Sequence, residues 1–161
     1  MIISVISDSH DHIQNLKKAV EISNERGAEY LLHLGDIIAP YSAKILADFS
    51  GIVHAVFGNN DGEKNGLARV FNQFGGTIEN PPYKLSIKDK KMALMHEPYI
   101  LDDLVASKHY DYIFYGHLHE ADLNQINSCY TLNPGELCGW SHRPSFYLIN
   151  LGQNHFEQID L

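Results

Sequence analysis

Ile2-Ile3-Ser4-Val5-Ile6-Ser7-Asp8-Ser9-His10 is the stretch from which the rest of the chain can be read. Its first six residues are β-branched and apolar almost throughout, which predicts a short buried strand. The strand runs out into an acid and an imidazole flanking one serine, so Asp8 and His10 can point to one side of an extended turn. The pattern recurs four times further along. Predicted strands over residues 30–34, 52–57, 91–95 and 111–115 run out into Gly35-Asp36, Gly58-Asn59-Asn60-Asp61, His96 and Gly116-His117-Leu118-His119. In α/β sheets ligands bind outside the carboxyl ends of the strands. Five polar clusters, far apart in sequence, can therefore meet on one rim.

The segments between these strands predict helices. Ile13, Leu16, Ala19 and Val20 share one helical face, with Asp11 as the expected N-cap, Gln14 three residues on, and Arg26-Gly27 as the stop. Residues 41–49, opened by Pro40, and residues 67–74, closed by Gly75-Gly76, predict two more. Strand–helix alternation at this spacing means parallel βαβ units. The second half changes character: a hairpin turning at Lys88-Asp89-Lys90, a helix over 100–108, then short strands over 121–126, 129–132, 146–151 and 155–159. The expectation is an α/β fold in which two mixed β-sheets pack as a sandwich flanked by helices, in one domain spanning 1–161.

Size and composition agree with this. A chain of 161 residues buries roughly 70% of its unfolded surface and needs no disulfide or zinc staple. A hydrophobic fraction of 44% against 20% charged residues is globular rather than disordered. No apolar run approaches the ~18 residues of a membrane span. The N-terminus has no basic n-region or small-residue cleavage site, and Cys129 and Cys138 lack CxxC spacing, so a reduced, cytoplasmic setting is expected. Net charge −8 argues against nucleic acid or anionic membrane as partner. Lys84, Lys88, Lys90 and Lys91 are read as a solvated hairpin. Homo-oligomerisation is left open.

Histidine is abundant, 10 in the chain. Carboxylate, imidazole and amide oxygen suit zinc, manganese or iron, with no soft thiolate among the clusters. Gly35, Gly58 and Gly116 each precede a candidate ligand, where a missing side chain permits a sharp turn or close approach. Taken singly, each motif is an ordinary turn or cap. Together at strand ends they offer too many ligands for one tetrahedral ion and about the number needed by two ions ~3.5–4 Å apart sharing a carboxylate.

DxH, GD, GNxD, H and GHxH in this order resemble the calcineurin-like metallophosphoesterase superfamily, and the short chain resembles its small prokaryotic phosphodiesterase subfamily. The resemblance runs from Asp8 to the Asn133-Pro134-Gly135 turn. It implies one divalent ion held by Asp8, His10, Asp36 and His119, and a second held by Asp36, Asn59, His96 and His117, with Asp36 bridging. Manganese is the first expectation; nickel, zinc, iron or magnesium are alternatives. The chain departs from the family pattern at Asn60, where GNHD has histidine, at Glu97, where glycine is common, and at Glu136, where NPGS has serine. None of the three removes an implied ligand.

The expected reaction is hydrolysis of a small phosphodiester by in-line attack of a metal-bridging hydroxide, since metals lower the pKa of water from ~15.7 to about 7. Asn59 and Asn60 are expected to contact the phosphate, and Asn60, Asp61 and His117 to serve the chemistry, Asp61 by orienting a ligand or Asn60. His12 and His142 lie in loops near the rim, and Arg143 suits bidentate phosphate contact, so His142 and Arg143 are assigned to substrate binding. His33 and His54, inside strands, are expected to be structural. The alternative is a non-catalytic metal-binding scaffold of the same fold that binds a protein partner, as in the retromer subunit of this superfamily. A nuclease is disfavoured by the absence of a basic groove.

Overall fold

The computed structural model describes residues 1–161. Its first half contains β1 (Ile2–Ile6), α1 (Ile13–Glu25), β2 (Tyr30–His33), α2 (Pro40–Ala43), β3 (Ile52–Val56), α3 (Lys64–Phe74) and β4 (Thr77–Glu79). The second contains β5 (Tyr83–Ile87), β6 (Lys90–Leu94), α4 (Leu101–Ala106), β7 (Tyr112–Phe114), β8 (Ala121–Ile126), β9 (Cys129–Pro134), β10 (Ser145–Asn150) and β11 (His155–Asp160). They build a six-stranded sheet of order β11-β10-β1-β2-β3-β4 and a five-stranded sheet of order β5-β6-β7-β9-β8. β1 to β4 run parallel, and β10 closes antiparallel on β1 with Ile3 opposite Ile149 and Val5 opposite Tyr147. In the second sheet β6, β7 and β9 are parallel, with β5 and β8 as antiparallel edges.

Strand alternation sorts the apolar residues into three layers. Ile3, Val5, Leu32, Leu34 and Val56 meet Met92, Leu94, Tyr112, Phe114 and Leu132 between the sheets. Ile6, Leu31, Val53 and Ala55 face the opposite way, against Leu16, Val20, Leu67 and Phe71 of α1 and α3. Ala93, Met95, Ile113 and Tyr115 pack under Leu101, Leu104 and Val105 of α4. The result is the expected helix–sheet–sheet–helix sandwich, in which the carboxyl ends of β1, β2, β3, β6 and β7 open on the same rim.

Four local expectations change. His12, not Asp11, caps α1: its Nδ1 accepts the Asn15 N–H at 3.2 Å, while the Asp11 carboxylate accepts the Ala39 N–H and the Ser42 hydroxyl. The helix expected over 41–49 is one turn of α2 followed by a 3₁₀ stretch, Lys44–Asp48. α3 starts at Lys64, three residues before its apolar periodicity does. β4 is an additional short strand, paired to β3 with Ala55 opposite Ile78.

Candidate metal centre

Backbone hydrogen bonds carry the strand ladders into the loops. Asp8 and His10 donate N–H groups to Gly35 and Asp36 carbonyls at 3.1 and 2.9 Å, joining the loops after β1 and β2. Gly116 donates to His96 O at 3.0 Å, and Cys138 donates to Asp8 O at 3.0 Å, which draws both sheets to one point. Asn133 of the Asn-Pro-Gly turn donates to Gly116 O at 2.9 Å and pins the His117 loop. Five of the seven expected ligands have left-handed backbones: Asp8, His10, Asp36, His117 and His119, with φ between 41° and 68°. Such conformations cost energy for non-glycine residues and persist where the surrounding structure enforces them. The glycines supply close approach: a Cβ on Gly58 would strike the Asp36 carboxylate, and one on Gly116 would strike Ser7 and lie 2.8 Å from Asp8 Oδ2.

All seven expected ligands converge. Asp8 Oδ1 lies 3.4 Å from His119 Nε2, 3.8 Å from His10 Nε2 and 4.0 Å from His96 Nε2. Asp36 Oδ2 lies 3.4 Å from His10 Nε2 and 3.3 Å from His96 Nε2. Asn59 Oδ1 is 2.9 Å from His96 Nε2 and 3.0 Å from His117 Nδ1. Donor atoms bound tetrahedrally at about 2.1 Å stand about 3.4 Å apart, so these spacings suit ions. Asp8 Oδ1 and His10 Nε2 are buried with no hydrogen-bond partner. Two facing lone-pair donors left bare in the interior are costly unless a cation sits between them, so the residues fit divalent metal.

The electrostatics point the same way. Burial pushes the Asp36 carboxyl up, but bonds from His96 and from the Asn60 backbone and side-chain amides outweigh it and hold it well below the usual carboxylate range. Burial disfavours imidazolium at His96, yet Asp36 and Asp8 raise its pKa overall. This carboxylate field attracts positive charge.

A second layer of groups aims the ligands. Ser7 Oγ and His117 N–H donate to Asp8 Oδ2 at 2.5 and 3.0 Å, leaving Oδ1 for the centre. His96 Nδ1 meets the Leu34 carbonyl at 2.8 Å; a carbonyl only accepts, so Nδ1 carries a proton and Nε2 is the nitrogen turned to the centre, toward Asp36 and Asn59. Asp61 accepts N–H groups from Asp36, Ile38 and Gly58 at 3.0, 2.7 and 2.7 Å, which makes it the clasp of the two loops and not a group facing the reacting atoms. Asn60 donates its backbone and side-chain N–H groups to Asp36, each at 2.8 Å. His33, buried and pushed down to about 3 by burial, is a neutral strut between Ser9 Oγ and Gly35 N–H, and His54 touches Tyr83 OH.

The two loop residues expected to bind substrate have partners within the chain. Arg143 forms an exposed ion pair with Asp160 at 3.3 Å. His142 braces its own loop, with Nδ1 3.1 Å from His119 O and N–H 2.6 Å from Glu136 Oε1. Glu136 itself, noted in the sequence only as a departure, is the hub. Its buried carboxylate accepts from His119 Nδ1 at 2.6 Å, from the Ser141 and His142 N–H groups at 2.6 Å, and from the Cys138 thiol. Burial pushes its pKa up, but the bonds from Cys138, His142, Ser141 and His119 prevail and hold it at about 2. Trp140, which no motif singles out, lies tilted against His10 with ring centroids 4.2 Å apart and 35° between the ring planes. An acid directly after the Asn-Pro-Gly turn was the one sequence signal for Glu136; nothing local marks Trp140.

A two-sheet sandwich whose strand ends gather carboxylate, imidazole and amide donors is a metallophosphoesterase-type fold. The model of the calcineurin-like phosphoesterase superfamily domain matches residues 1–154. Phosphodiesterase MJ0936 of Methanocaldococcus jannaschii is 30% identical over 165 residues, covering 100% of this chain and 99% of that protein. The solved structure of an archaeal phosphodiesterase superposes with a TM-score of 0.96 at 30% identity, covering 100% of both chains. Vps29 of Entamoeba histolytica, solved with zinc, shares the fold with a TM-score of 0.73 at 20% identity, over 99% of both chains. The chain belongs to the calcineurin-like phosphoesterase superfamily, whose members are metal-dependent. No helix is long and apolar enough to cross a membrane.

Proposed function

We propose that this chain is a metal-dependent phosphodiesterase acting on a small phosphodiester. The observation that carries the proposal is the pair of bare buried donors, Asp8 Oδ1 and His10 Nε2, at the centre of seven converging ligands. Its likeness along the whole chain to an archaeal phosphodiesterase supports the same activity. One ion would be held by Asp8, His10, Asp36 and His119, the second by Asp36, Asn59, His96 and His117, with manganese the first metal to test. Bound there, the ions supply charge neutralisation for the phosphoryl group and acidify water toward neutral pH.

The chain's own groups do the rest. Asp36 stays ionised and faces both clusters, so it fixes their spacing. Ser7, Leu34, Glu136 and the His117 N–H hold their ligands in one orientation. Asn60, exposed at the rim, can donate an amide N–H to a phosphoryl oxygen but has no proton to give a departing alkoxide. Net charge −8 favours a small-molecule substrate over nucleic acid or membrane.

The test is hydrolysis of bis(4-nitrophenyl) phosphate by chelator-treated protein before and after manganese is added. Activity should vanish with the metal and return with it. Full turnover by metal-free protein, verified by elemental analysis, overturns the proposal, as does no turnover in the loaded protein.

A further inference from the structure

Beside the metal centre lies a cavity of about 440 Å³ lined by His10, Asp11, Ile38, Asn60 and Trp140. Its walls differ in character. Asn60 sits at the side of the Asp36 carboxylate, where a phosphoryl group would bind. Asp11 is spent on the Ala39 N–H and the Ser42 hydroxyl. Trp140 and Ile38 are apolar. Trp140 nevertheless leaves 67% of its surface exposed. One side of its indole covers His10 at 4.2 Å and lies 6.1 Å from His119.

The backbone that carries the indole is held in place. Its neighbours Ser141 and His142 give their N–H groups to the buried Glu136 carboxylate. Ile38 is fixed likewise: its backbone is left-handed at φ 84° and its N–H is clasped by Asp61. Two apolar side chains on pinned backbone, one of them a ring, thus line the cavity beside the metal ligands.

Resting on the phosphodiesterase reading above, we infer that the substrate carries a flat aromatic ring on its phosphoryl group and that Trp140 is the platform on which this ring packs, with Ile38 as the facing wall. The charged end belongs at the metal ligands, and the ring lies in the cavity next to His10. Asn60 agrees with this assignment, since an amide that cannot protonate a leaving group favours esters of acidic, ring-bearing alcohols.

Trp140 is the sole tryptophan of the chain, so its fluorescence reports the platform directly. Manganese-loaded protein is titrated with phenylphosphonate and methylphosphonate, which share an anionic head and differ by the ring, and with adenosine 5′-monophosphate against ribose 5-phosphate. The two pairs tell a ring joined to phosphorus from a base carried on a sugar. Ring-bearing ligands of at least one pair should bind about tenfold more tightly than their ring-free partner and shift the indole emission, as aromatic stacking of this kind allows. Trp140→Ala should erase that preference in competition against bis(4-nitrophenyl) phosphate, and Trp140→Phe should keep part of it. Equal affinity within both pairs, or a preference that survives in Trp140→Ala, overturns the inference. Hydrolysis without ring preference refutes the platform alone; ring preference without hydrolysis refutes the enzymatic reading and leaves the platform.

Discussion

Glu136→Gln removes one charge and almost no volume, which isolates what the carboxylate does. Oε1 accepts two backbone N–H groups, from Ser141 and His142, and Oε2 accepts from His119 Nδ1 and the Cys138 thiol. Glutamine offers a single carbonyl oxygen. Turned toward Ser141 and His142, it keeps both backbone bonds and presents its NH2 to His119. Nδ1 must then become the acceptor, and the ring proton moves to Nε2, the atom 3.4 Å from Asp8 Oδ1. A protonated Nε2 has no lone pair for an ion. Loss of such an orienting partner costs about 10–100-fold in metal affinity, or roughly 1.4–2.7 kcal/mol. Turned the other way, the amide sets two donors against two donors, at about 1–3 kcal/mol of stability for the unsatisfied groups. The first arrangement is therefore expected. Calorimetric titration of manganese into chelator-treated protein should show one of two sites weakened by that factor, and imidazole ¹⁵N shifts should place the His119 proton on Nε2. Unchanged affinity with an unchanged tautomer would refute this role for Glu136.

Asp36 is the carboxylate facing both His10 and His96, so Asp36→Asn should lower kcat/KM by about 10²–10³-fold and exceed the loss in His10→Asn or His119→Gln, with metal stoichiometry read alongside. Near wild-type turnover with two ions bound would remove Asp36 as the bridge. Because Asn60 cannot protonate a leaving group, kcat/KM across a series of aryl and alkyl diesters should fall steeply as leaving-group pKa rises, and Asn60→His should recover part of the ~10²–10⁴ that general acid catalysis is worth for alkyl esters. A shallow slope in the unmodified protein would show that another acid donates. Gly58→Ala places a methyl against the Asp36 carboxylate and should cost about 1–3 kcal/mol in thermal or denaturant unfolding, together with most of the activity. An unperturbed Gly58→Ala protein would mean that the loop yields freely there.

The polar clusters that converge at the candidate metal centre were legible because each is a local event. An apolar β-branched run sets a strand, and a Gly, Asp, Asn or His cluster straight after it sits at the strand's carboxyl end whatever the rest of the chain does. The clusters at Asp8–His10, Gly35–Asp36, Gly58–Asp61, His96 and Gly116–His119 follow from that rule, the choice of ligands within them from the family resemblance, and the alternation of strand and helix announces the parallel half of the first sheet. Elements too short for periodicity were not legible. Thr77-Ile78-Glu79 forms β4 only because β3 offers it an edge, and the 3₁₀ stretch after α2 has the same apolar residues that an α-helix would need.

Tertiary structure alone decided the geometry around those ligands. Left-handed backbones at Asp8, His10, Asp36, His117 and His119 are imposed by loops stitched across two sheets, and no residue type at those positions predicts them. The ion pair of Arg143 with Asp160 on β11 exists because β10 pairs with β11 there, which no local sequence signal announces. Glu136 and Trp140 show the same limit from the other side. Both lie well over a hundred residues from Asp8 and His10, and what they do depends on β9 and the loop after it returning to the carboxyl end of β1. Local sequence could specify which groups the chain carries to its strand ends; only the packing of the sheets could specify which of them touch.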